Sequence, residues 1–232
     1  MNSISISIPA YNDGKTIEGV IKRSLKVLEE ISPDYEVVVI NDESSDNTQE
    51  VIENISKENS KVKVVHHQKN EGFGKTIKEV FELPSKEWVF FIPGDGQVSP
   101  EEIKKLIPYT DNADFILGVR SSRSDPIWRR FNSAIYNGII SIISGIRVKD
   151  VNSVALARRK ILENLNITGD SAFVHAEIFL KVASSGYKIE QVEIEHLPRT
   201  SGKGSGNKIS VIIPTVINLI KFIFRHTKRN VM

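Results

Sequence analysis

The chain has 232 residues, of which 40% are hydrophobic and 26% are charged, and its formal net charge at pH 7 is +2. Such fractions are those of a soluble globular protein, and the length suits one large domain or two small ones. The absence of cysteine excludes a disulfide framework, a thiolate metal site and a cysteine nucleophile. The sequence shows no signal peptide and no apolar run of the roughly 20 residues that span a bilayer. We therefore expect a cytoplasmic protein.

Short apolar runs alternate with segments of helical periodicity in the first half of the chain. Apolar residues at helical spacing follow each of the first three runs. The predicted strands, in chain order, are Ile4–Ile8, Tyr35–Ile40, Val62–Val65, Trp88–Ile92 and Asp114–Val119. The alternation predicts an α/β protein, a three-layer α/β/α domain with a mostly parallel central sheet.

Beyond residue 120 this rhythm changes. The predicted elements are an amphipathic helix over Ile127–Ser144, a short strand over Val154–Ala157, a helix near Phe173–Ser184 and a late strand over Lys188–Leu197. Glycine and serine between the bases of Arg199–Lys208 predict a mobile loop. We assign residues 1–208 to one domain and residues 209–232 to a C-terminal amphipathic, basic helix and tail.

Acidic residues follow several of the predicted strands. Asp13, Asp42 and Asp95 each come after a predicted parallel strand, so all three should gather along one edge of the sheet, where open α/β sheets bind ligands. The Asp42–Asp46 pair could accept hydrogen bonds from a base or ribose. Neither a G-x-G-x-x-G segment after the first strand nor a P-loop is present, so the usual dinucleotide and P-loop modes are unsupported.

The segment Gly94-Asp95-Gly96-Gln97 lies just past the fourth predicted strand. A carboxylate and an amide two residues apart on a glycine-loosened turn can face one cation. The alternative is an ordinary turn, in which Asp95 only accepts hydrogen bonds from backbone N–H groups. The following Ser99-Pro100 predicts the opening of a helix, with Ser99 as its cap.

Seven motifs in this order resemble a family 2 glycosyltransferase with the GT-A fold, nearest to the dolichyl- or polyprenyl-phosphate mannose or glucose synthases. They lie within residues 4–210. The motifs are Ile8–Asp13, Ile40–Asp46, Asn70–Gly74, Gly94–Pro100, Gly118–Arg120, Asp150–Ser153, and Gly186–Ile189 running into Pro198–Lys203. The resemblance implies a sugar donor in the form of a nucleotide-diphosphate sugar and a divalent cation, Mg²⁺ or Mn²⁺, as cofactor.

The resemblance also implies roles for individual residues. The nucleotide pocket would be formed by Pro9, Tyr11, Asp13, Asp42 and Gly72, with Asp42 on the base or ribose. The metal would be held by Asp95 and Gln97. The catalytic set would be Asp95 with three cations that lie near the donor diphosphate or the acceptor phosphate, namely Arg120, Arg199 and Lys203.

The chain departs from the family pattern at three positions. Pro93 stands where the first acid of an Asp-x-Asp metal motif would be, so one metal ligand is missing. Asp13 replaces a more usual glutamate. Glu43 replaces the glycine often found after Asp42, and could narrow or recharge the nucleotide pocket.

The acceptor determines which further groups are needed. A hydroxyl acceptor needs a general base, for which Glu177 is a candidate unless it orients an arginine or faces solvent. A lipid phosphate is already anionic and needs cations instead. His66 and His67 lie on a turn that we expect to be exposed, and we assign them no role. A transferase for a saccharide or soluble hydroxyl acceptor, a catalytically silent nucleotide-sugar binder and a nucleotidyltransferase remain open.

The C-terminal segment Ile209–Arg225 is strongly apolar, and residues 199–232 contain seven Lys or Arg and no acid. Such a segment is typical of a helix that lies in a membrane interface. The alternative is a helix packed against the domain or against a second subunit of a homo-oligomer. We expect a polyprenyl phosphate acceptor, peripheral contact with the inner face of the membrane, and no nucleic acid partner.

Overall fold

The structure, a computed structural model, describes residues 3–121, 127–169, 171–198 and 209–229, and within these it leaves the side chains of 127–129, 209–210 and 225–229 undescribed. The strands are β1 (Ser3–Ala10), β2 (Asp34–Asn41), β3 (Val62–His66), β4 (Trp88–Phe91), β5 (Phe115–Arg120), β6 (Ala155–Arg158) and β7 (Ile189–Ile194). The helices are α1 (Ile17–Ile31), α2 (Thr48–Glu58), α3 (Phe73–Glu82), α4 (Ile103–Leu106), α5 (Ile127–Ser144), α6 (Arg159–Glu163), α7 (Val174–Ser184) and α8 (Ile209–Arg229).

The strands form one sheet in the order β3-β2-β1-β4-β6-β5-β7. β6 runs antiparallel to both of its neighbours, β4 and β5. The other adjacent pairs are parallel. The prediction of an α/β fold with a mostly parallel central sheet is therefore confirmed.

β1 lies at the centre of the parallel half and is buried on both faces. Its sequence alternates isoleucine and serine, yet Ser5 and Ser7 are as inaccessible to solvent as the isoleucines. The Ser5 hydroxyl donates to Glu36 Oε1 at 2.7 Å, and Glu36 is itself only 2% exposed. The small size of both serines, and the hydrogen bond that Ser5 makes, thus allow helices to pack on both faces of an alternating strand.

The expected helix opening after β4 takes a different form. Residues Pro100–Glu102 make a 3-10 turn that leads into the short α4. The Ser99 hydroxyl does not cap this turn, because it donates to the Glu101 carboxylate and accepts a bond from Arg23 Nη2 at 2.6 Å. Ser99 thus occupies the predicted cap position, but its side chain links the turn to α1 and makes no cap hydrogen bond.

α8 packs on the domain through one side. Leu219 and Phe222 are buried, the Phe222 ring lies 5.6 Å from that of Phe173, and Asn218 Nδ2 donates to Ser171 Oγ at 2.9 Å. Among the described parts of the chain, no helix combines the length and hydropathy needed to cross a bilayer. The separation of residues 209–232 from the rest stays a prediction.

Candidate active site

The loops that follow β1, β2 and β4 meet at one edge of the sheet. The Asp42 N–H donates to the Ala10 carbonyl at 3.0 Å, which joins the ends of β2 and β1. The Gly94 N–H donates to the Pro9 carbonyl at 3.3 Å, and the Thr16 hydroxyl donates to the Gly94 carbonyl at 2.8 Å. The three loops therefore form one continuous surface, as the strand-end pattern predicts.

Asp13 lies where the β1 and β4 loops touch. Its carboxylate accepts the Tyr11 N–H at 3.1 Å, while Tyr11 itself is 51% exposed. A Cβ atom added at Gly94 would stand 3.1 Å from Asp13 Oδ2 and 3.1 Å from the Pro9 carbonyl. Glycine at this position allows the close approach without displacing either group, and Pro9, Tyr11 and Asp13 lie together beside the Asp95 loop.

Asp95 and Gln97 occupy the turn after β4. The Gln97 N–H donates to Asp95 Oδ1 at 3.0 Å, so the turn expected from the sequence is present. The Gln97 carbonyl accepts the Leu197 N–H at 2.8 Å, and Gln97 Nε2 lies 3.4 Å from the Leu197 carbonyl. Gln97 therefore connects this turn to the strand exit that leads toward Arg199.

The side-chain oxygens at this turn suit a cation whose other ligands are water and substrate phosphates. Within the described ranges, no cluster of three or more His, Asp or Glu side chains could enclose a metal ion. Mg²⁺ commonly binds through one or two carboxylates together with water and substrate phosphates. Asp95 and the Gln97 carboxamide fit such a site, and Pro93 supplies no carboxylate to extend it.

Asp42 and Glu43 hold the loop Asn70–Gly72 against the same edge. Asp42 is 4% exposed, and its two carboxylate oxygens accept the N–H groups of Glu71 at 2.7 Å and Gly72 at 3.0 Å. Gly72 has φ +85°, a conformation that suits glycine. The structure thus gives Asp42 a role in positioning backbone, and its contact with a base or ribose stays a prediction.

The backbone of Glu43 adopts a strained conformation. Its φ is +55°, in the left-handed region where a glycine would cost less. In return, Glu43 Oε2 accepts the Asn70 N–H at 2.5 Å. The departure from glycine noted in the sequence therefore adds a second carboxylate that holds the loop.

Asp46 is also occupied by its own chain. Its carboxylate accepts the Gly14 N–H at 3.1 Å and the Thr48 N–H at 3.0 Å, and these bonds lower its pKa against the opposing effect of burial. Asp46 thus joins the β1 loop to the start of α2. A contact of Asp46 with a base or ribose stays a prediction.

The side chain of His67 is only 6% exposed, so the expectation of an exposed turn was wrong for this residue. Its Nδ1 lies 2.7 Å from Asp42 Oδ1 and its Nε2 lies 2.5 Å from Glu79 Oε2. Burial acts to lower the pKa of His67, but the hydrogen bonds to Asp42 and Glu79 outweigh it, and the pKa is raised above 6.5. With a carboxylate at each nitrogen, both nitrogens donate when the ring is protonated. Lys75 adds a positive charge beside these groups: its Nζ lies 3.2 Å from the Glu71 carboxylate and 4.0 Å from the Glu79 carboxylate.

The raised pKa of His67 predicts that the loop loosens at alkaline pH. The stabilisation is fully present below the ordinary pKa of 6.5 and is lost as the pH rises through the higher pKa of the folded protein. Each unit of pKa difference is worth about 1.4 kcal/mol. Melting temperatures measured from about pH 6 to about pH 9 should fall more steeply for the wild type than for His67→Gln. His66→Gln is the matched control and should keep the wild-type slope; equal slopes for all three proteins would contradict the assignment.

A buried ion pair lies at the carboxyl end of β5. Arg120 Nε and Nη2 donate to the carboxylate of Asp150 at 2.6 and 2.8 Å, and Asp150 is only 3% exposed. His175, at the start of α7, lies between the rings of Phe73 and Phe91. Burial lowers the pKa of His175 to about 4, and the charge of Arg120 adds to this effect. At neutral pH Arg120 is thus the cation of this cluster, and its contact with a phosphate stays a prediction.

Glu177 has a different environment from the two that the sequence suggested. It is 1% exposed and neither orients an arginine nor faces solvent. Its oxygens accept the N–H groups of Thr168 at 3.0 Å and Gly169 at 2.7 Å, and Lys181 Nζ lies 2.6 Å away. Burial acts to raise the pKa of Glu177, but these bonds lower it below its ordinary value. Glu177 therefore holds a loop and is a poor candidate for a general base.

Two predicted site residues, Arg199 and Lys203, lie outside the described residues. Two residues to which the sequence analysis gave no individual role, His67 and Asp150, make central contacts in the described part of the site. A signal for His67 was available, because β2 and β3 are adjacent and parallel, with Asn41 paired to His66. The residues that directly follow these two strands, Asp42 and His67, are therefore expected to lie side by side.

Comparison with known proteins agrees with this geometry. The model of glycosyl transferase family 2 matches residues 5–183. The undecaprenyl-phosphate 4-deoxy-4-formamido-L-arabinose transferase of Pseudomonas fluorescens is 24% identical over 216 residues, 91% of this chain and 62% of that protein. The chain thus spans less than two thirds of that relative. An uncharacterized protein of Methanocaldococcus jannaschii is 31% identical over 94% of this chain and 97% of its own length.

Solved structures show the same fold. Glucosyl-3-phosphoglycerate synthase from Mycobacterium tuberculosis, crystallised with Mn²⁺, UDP and glucosyl-3-phosphoglycerate, aligns with a TM-score of 0.64 at 20% identity, over 87% of this chain and 73% of that one. S. aureus TarS in complex with UDP aligns with a TM-score of 0.59 at 20% identity, over 84% of this chain and 59% of that one. The family match and the shared architecture show that the chain belongs to glycosyl transferase family 2 and has the GT-A fold.

Proposed function

We propose that this protein transfers a sugar, with inversion, from a nucleotide-diphosphate sugar to a polyprenyl phosphate at a membrane surface. The observation that carries the proposal is the pairing of Gln97, in the Asp95 turn, with Leu197, because the sequence after Leu197 continues into the basic and apolar C-terminal segment. The name of the Pseudomonas fluorescens relative supports an undecaprenyl phosphate acceptor. In the transfer, a phosphate oxygen of the acceptor bonds to the anomeric carbon, and the nucleoside diphosphate leaves with the electron pair.

The donor would bind along the edge formed by the β1, β2 and β4 loops. Tyr11 is exposed enough to contact a nucleotide, and Pro9 and Asp13 lie beside it. Asp42 acts there by holding the backbone of Glu71 and Gly72 in place. The nucleotide would therefore meet a surface whose shape is determined by hydrogen bonds within the protein, which lowers the cost of ordering on binding.

Asp95 and Gln97 would hold Mg²⁺ or Mn²⁺ together with the donor diphosphate. Such a cation neutralises the charge that develops on the leaving diphosphate. Solved structures of family neighbours contain Mn²⁺ or Mg²⁺ together with UDP. The contribution of this chain is to fix the Asp95 carboxylate on a turn, through the Gln97 N–H, at the edge where the diphosphate would lie.

Among the described residues, the acceptor side contains a cation, and the candidate base of the sequence analysis is already engaged by its own chain. Arg120 has its guanidinium oriented by Asp150, and the sequence adds Arg199 and Lys203 as further cations for the acceptor phosphate or the donor diphosphate. Glu177, the candidate base for a hydroxyl acceptor, is buried and occupied by backbone N–H groups. These features favour an acceptor that is already an anion over one that must lose a proton.

The proposal is tested by truncating the chain after Lys208. The full protein and the truncated protein are each given UDP- and GDP-sugars, Mn²⁺ and undecaprenyl phosphate in anionic vesicles, and sugar in the organic phase is measured. Four bases lie on α8 and contribute roughly 1 kcal/mol each near an anionic surface, so transfer should fall by about 100-fold or more on truncation. The affinity for the nucleoside diphosphate should not change. Equal glycosylation of a soluble acceptor by both proteins would overturn the lipid acceptor.

A further inference from the structure

Exposed apolar side chains are concentrated on two helices. Among the described residues fourteen large hydrophobic side chains are exposed, and ten of them lie on α5 and α8. Those on α5 are Phe131, Ile135, Ile139 and Ile142, and those on α8 are Ile212, Ile213, Val216, Ile217, Ile220 and Phe224. Exposed apolar side chains gathered in this way on a soluble protein commonly mark a surface that contacts a partner.

The four side chains of α5 share one side of that helix. Their spacing of four, four and three residues places them within about 80° of one another around an axis with 3.6 residues a turn. Ile142 is 84% exposed and Phe131 is 64% exposed, whereas Asn137 and Ile140, on the opposite side, are buried. We call Phe131, Ile135, Ile139 and Ile142 the outer stripe of α5.

The charge of both helices indicates what covers the outer stripe. α5 contains two arginines and no acid, and α8 contains four Lys or Arg and no acid. A second copy of the chain seated on this surface would bring bases against bases, which is unfavourable. A helix with an apolar side and basic residues suits the interface of an anionic membrane.

α5 and α8 meet at the same part of the domain. Ile143 and Ser144 of α5 and Phe222 of α8 line one small cavity together with Leu180 and Ser184 of α7. α8 is the helix for which membrane contact is already proposed. The outer stripe of α5 would therefore enlarge the lipid-contacting surface that is proposed for α8.

The buried side of α5 leads to the acceptor cluster. Asn137 Nδ2 donates to the Lys149 carbonyl at 2.9 Å, and Asn137 Oδ1 accepts the Val151 N–H at 3.1 Å. These two bonds flank Asp150, the partner of Arg120. A membrane in contact with the outer stripe would thus lie one helix diameter from the pair that is proposed to receive a lipid phosphate.

We propose that α5 is a second lipid-docking helix, whose outer stripe rests in the interface of an anionic membrane while Asn137 fixes the segment that carries Asp150. This inference deepens the proposed function and rests on it for the nature of the acceptor. It assigns to α5 an interaction surface whose partner is a lipid bilayer with anionic head groups.

The test is sedimentation with vesicles, which needs neither donor nor acceptor. The full chain and the double variant Ile135→Ser/Ile142→Ser are mixed with vesicles of phosphatidylglycerol and phosphatidylcholine, or of phosphatidylcholine alone. The control is Leu83→Ser/Tyr109→Ser, which removes two exposed apolar side chains from other parts of the surface. We expect the α5 variant to partition into anionic vesicles about 10-fold more weakly than the wild type, and the control to match the wild type.

The outcomes separate this inference from the proposed function. Unchanged partitioning of the α5 variant would overturn the docking role of α5, even if the wild type glycosylates undecaprenyl phosphate. A wild type that sediments as a dimer in solution, together with a monomeric α5 variant, would assign the outer stripe to a second copy and also overturn it. A wild type that binds anionic vesicles through α5 but transfers no sugar to lipid phosphate would refute the proposed function alone.

Discussion

Asp95→Ala is expected to lower sugar transfer by about 100-fold or more while leaving the fold intact, since losing one electrostatic stabiliser of a transition state commonly has such an effect. Asp95 is the acid that the motif Pro93-Gly94-Asp95 retains. It lies on a loop, outside the buried core, so the melting temperature should change little. The measurements are initial rates of transfer, with UDP binding by calorimetry in the presence and absence of Mn²⁺.

Two further variants make the result specific. Asp95→Asn keeps an acceptor for the Gln97 N–H and removes the charge, so it should preserve the turn and still lose transfer. Asp111→Ala removes an exposed acid from a loop on another part of the chain and should behave as the wild type. Substantial turnover in Asp95→Asn, or Mn²⁺-dependent UDP binding that survives in both Asp95 variants, would count against the assignment.

The second large effect concerns the Arg120–Asp150 pair. Arg120→Met removes the two hydrogen bonds that the buried Asp150 carboxylate accepts from Arg120, and breaking a buried ion pair in this way typically costs about 3–5 kcal/mol of folding free energy. Arg120→Met/Asp150→Leu replaces both charges by apolar groups, which is often close to neutral. We therefore expect the double variant to recover most of the stability in urea unfolding. Transfer to the lipid phosphate should remain about 100-fold below the wild type, because a cation proposed to stabilise the reacting phosphates is missing.

A matched control is available on the surface. Arg159 and Glu163 form an exposed ion pair four residues apart on α6, and Arg159→Met should change stability by no more than about 0.5 kcal/mol. If the double variant is stable and also turns over at the wild-type rate, the pair has a structural role only. Unaltered stability of Arg120→Met would show that Asp150 is compensated by another group.

β2 and β4 could be predicted closely because they are largely buried, and continuous apolar segments leave little freedom in where a strand lies. β3, the partly exposed edge strand, also ends within one residue of the run predicted for it. The direction of β6 could not be predicted in the same way. Its four residues carry no pattern that distinguishes parallel from antiparallel pairing, and its partners β4 and β5 are determined by tertiary packing.

The candidate site was predictable to the extent that strand ends determine it. Asp13, Asp42 and Asp95 lie at one edge because they follow parallel strands that neighbour one another. The burial of His67 and Glu177 was not predictable, because it depends on how α3 and α7 pack. The partnership of Arg120 with Asp150 spans thirty residues and links the end of β5 to the segment before β6, which no local pattern reveals.

The order of strands in the sheet leaves one edge of β4 exposed until a late part of the chain has folded. β1 to β4 come from the first ninety-one residues. One edge of β4 pairs with β1, and its other edge stays unpaired until β6 has formed. β6 spans Ala155–Arg158, so a nascent or shortened chain that ends before it exposes the main-chain groups of Trp88–Phe91, four apolar residues in a row. Open, apolar strand edges pair readily with other chains. β6, the antiparallel strand between β4 and β5, thus also protects the edge of β4 from pairing with other chains.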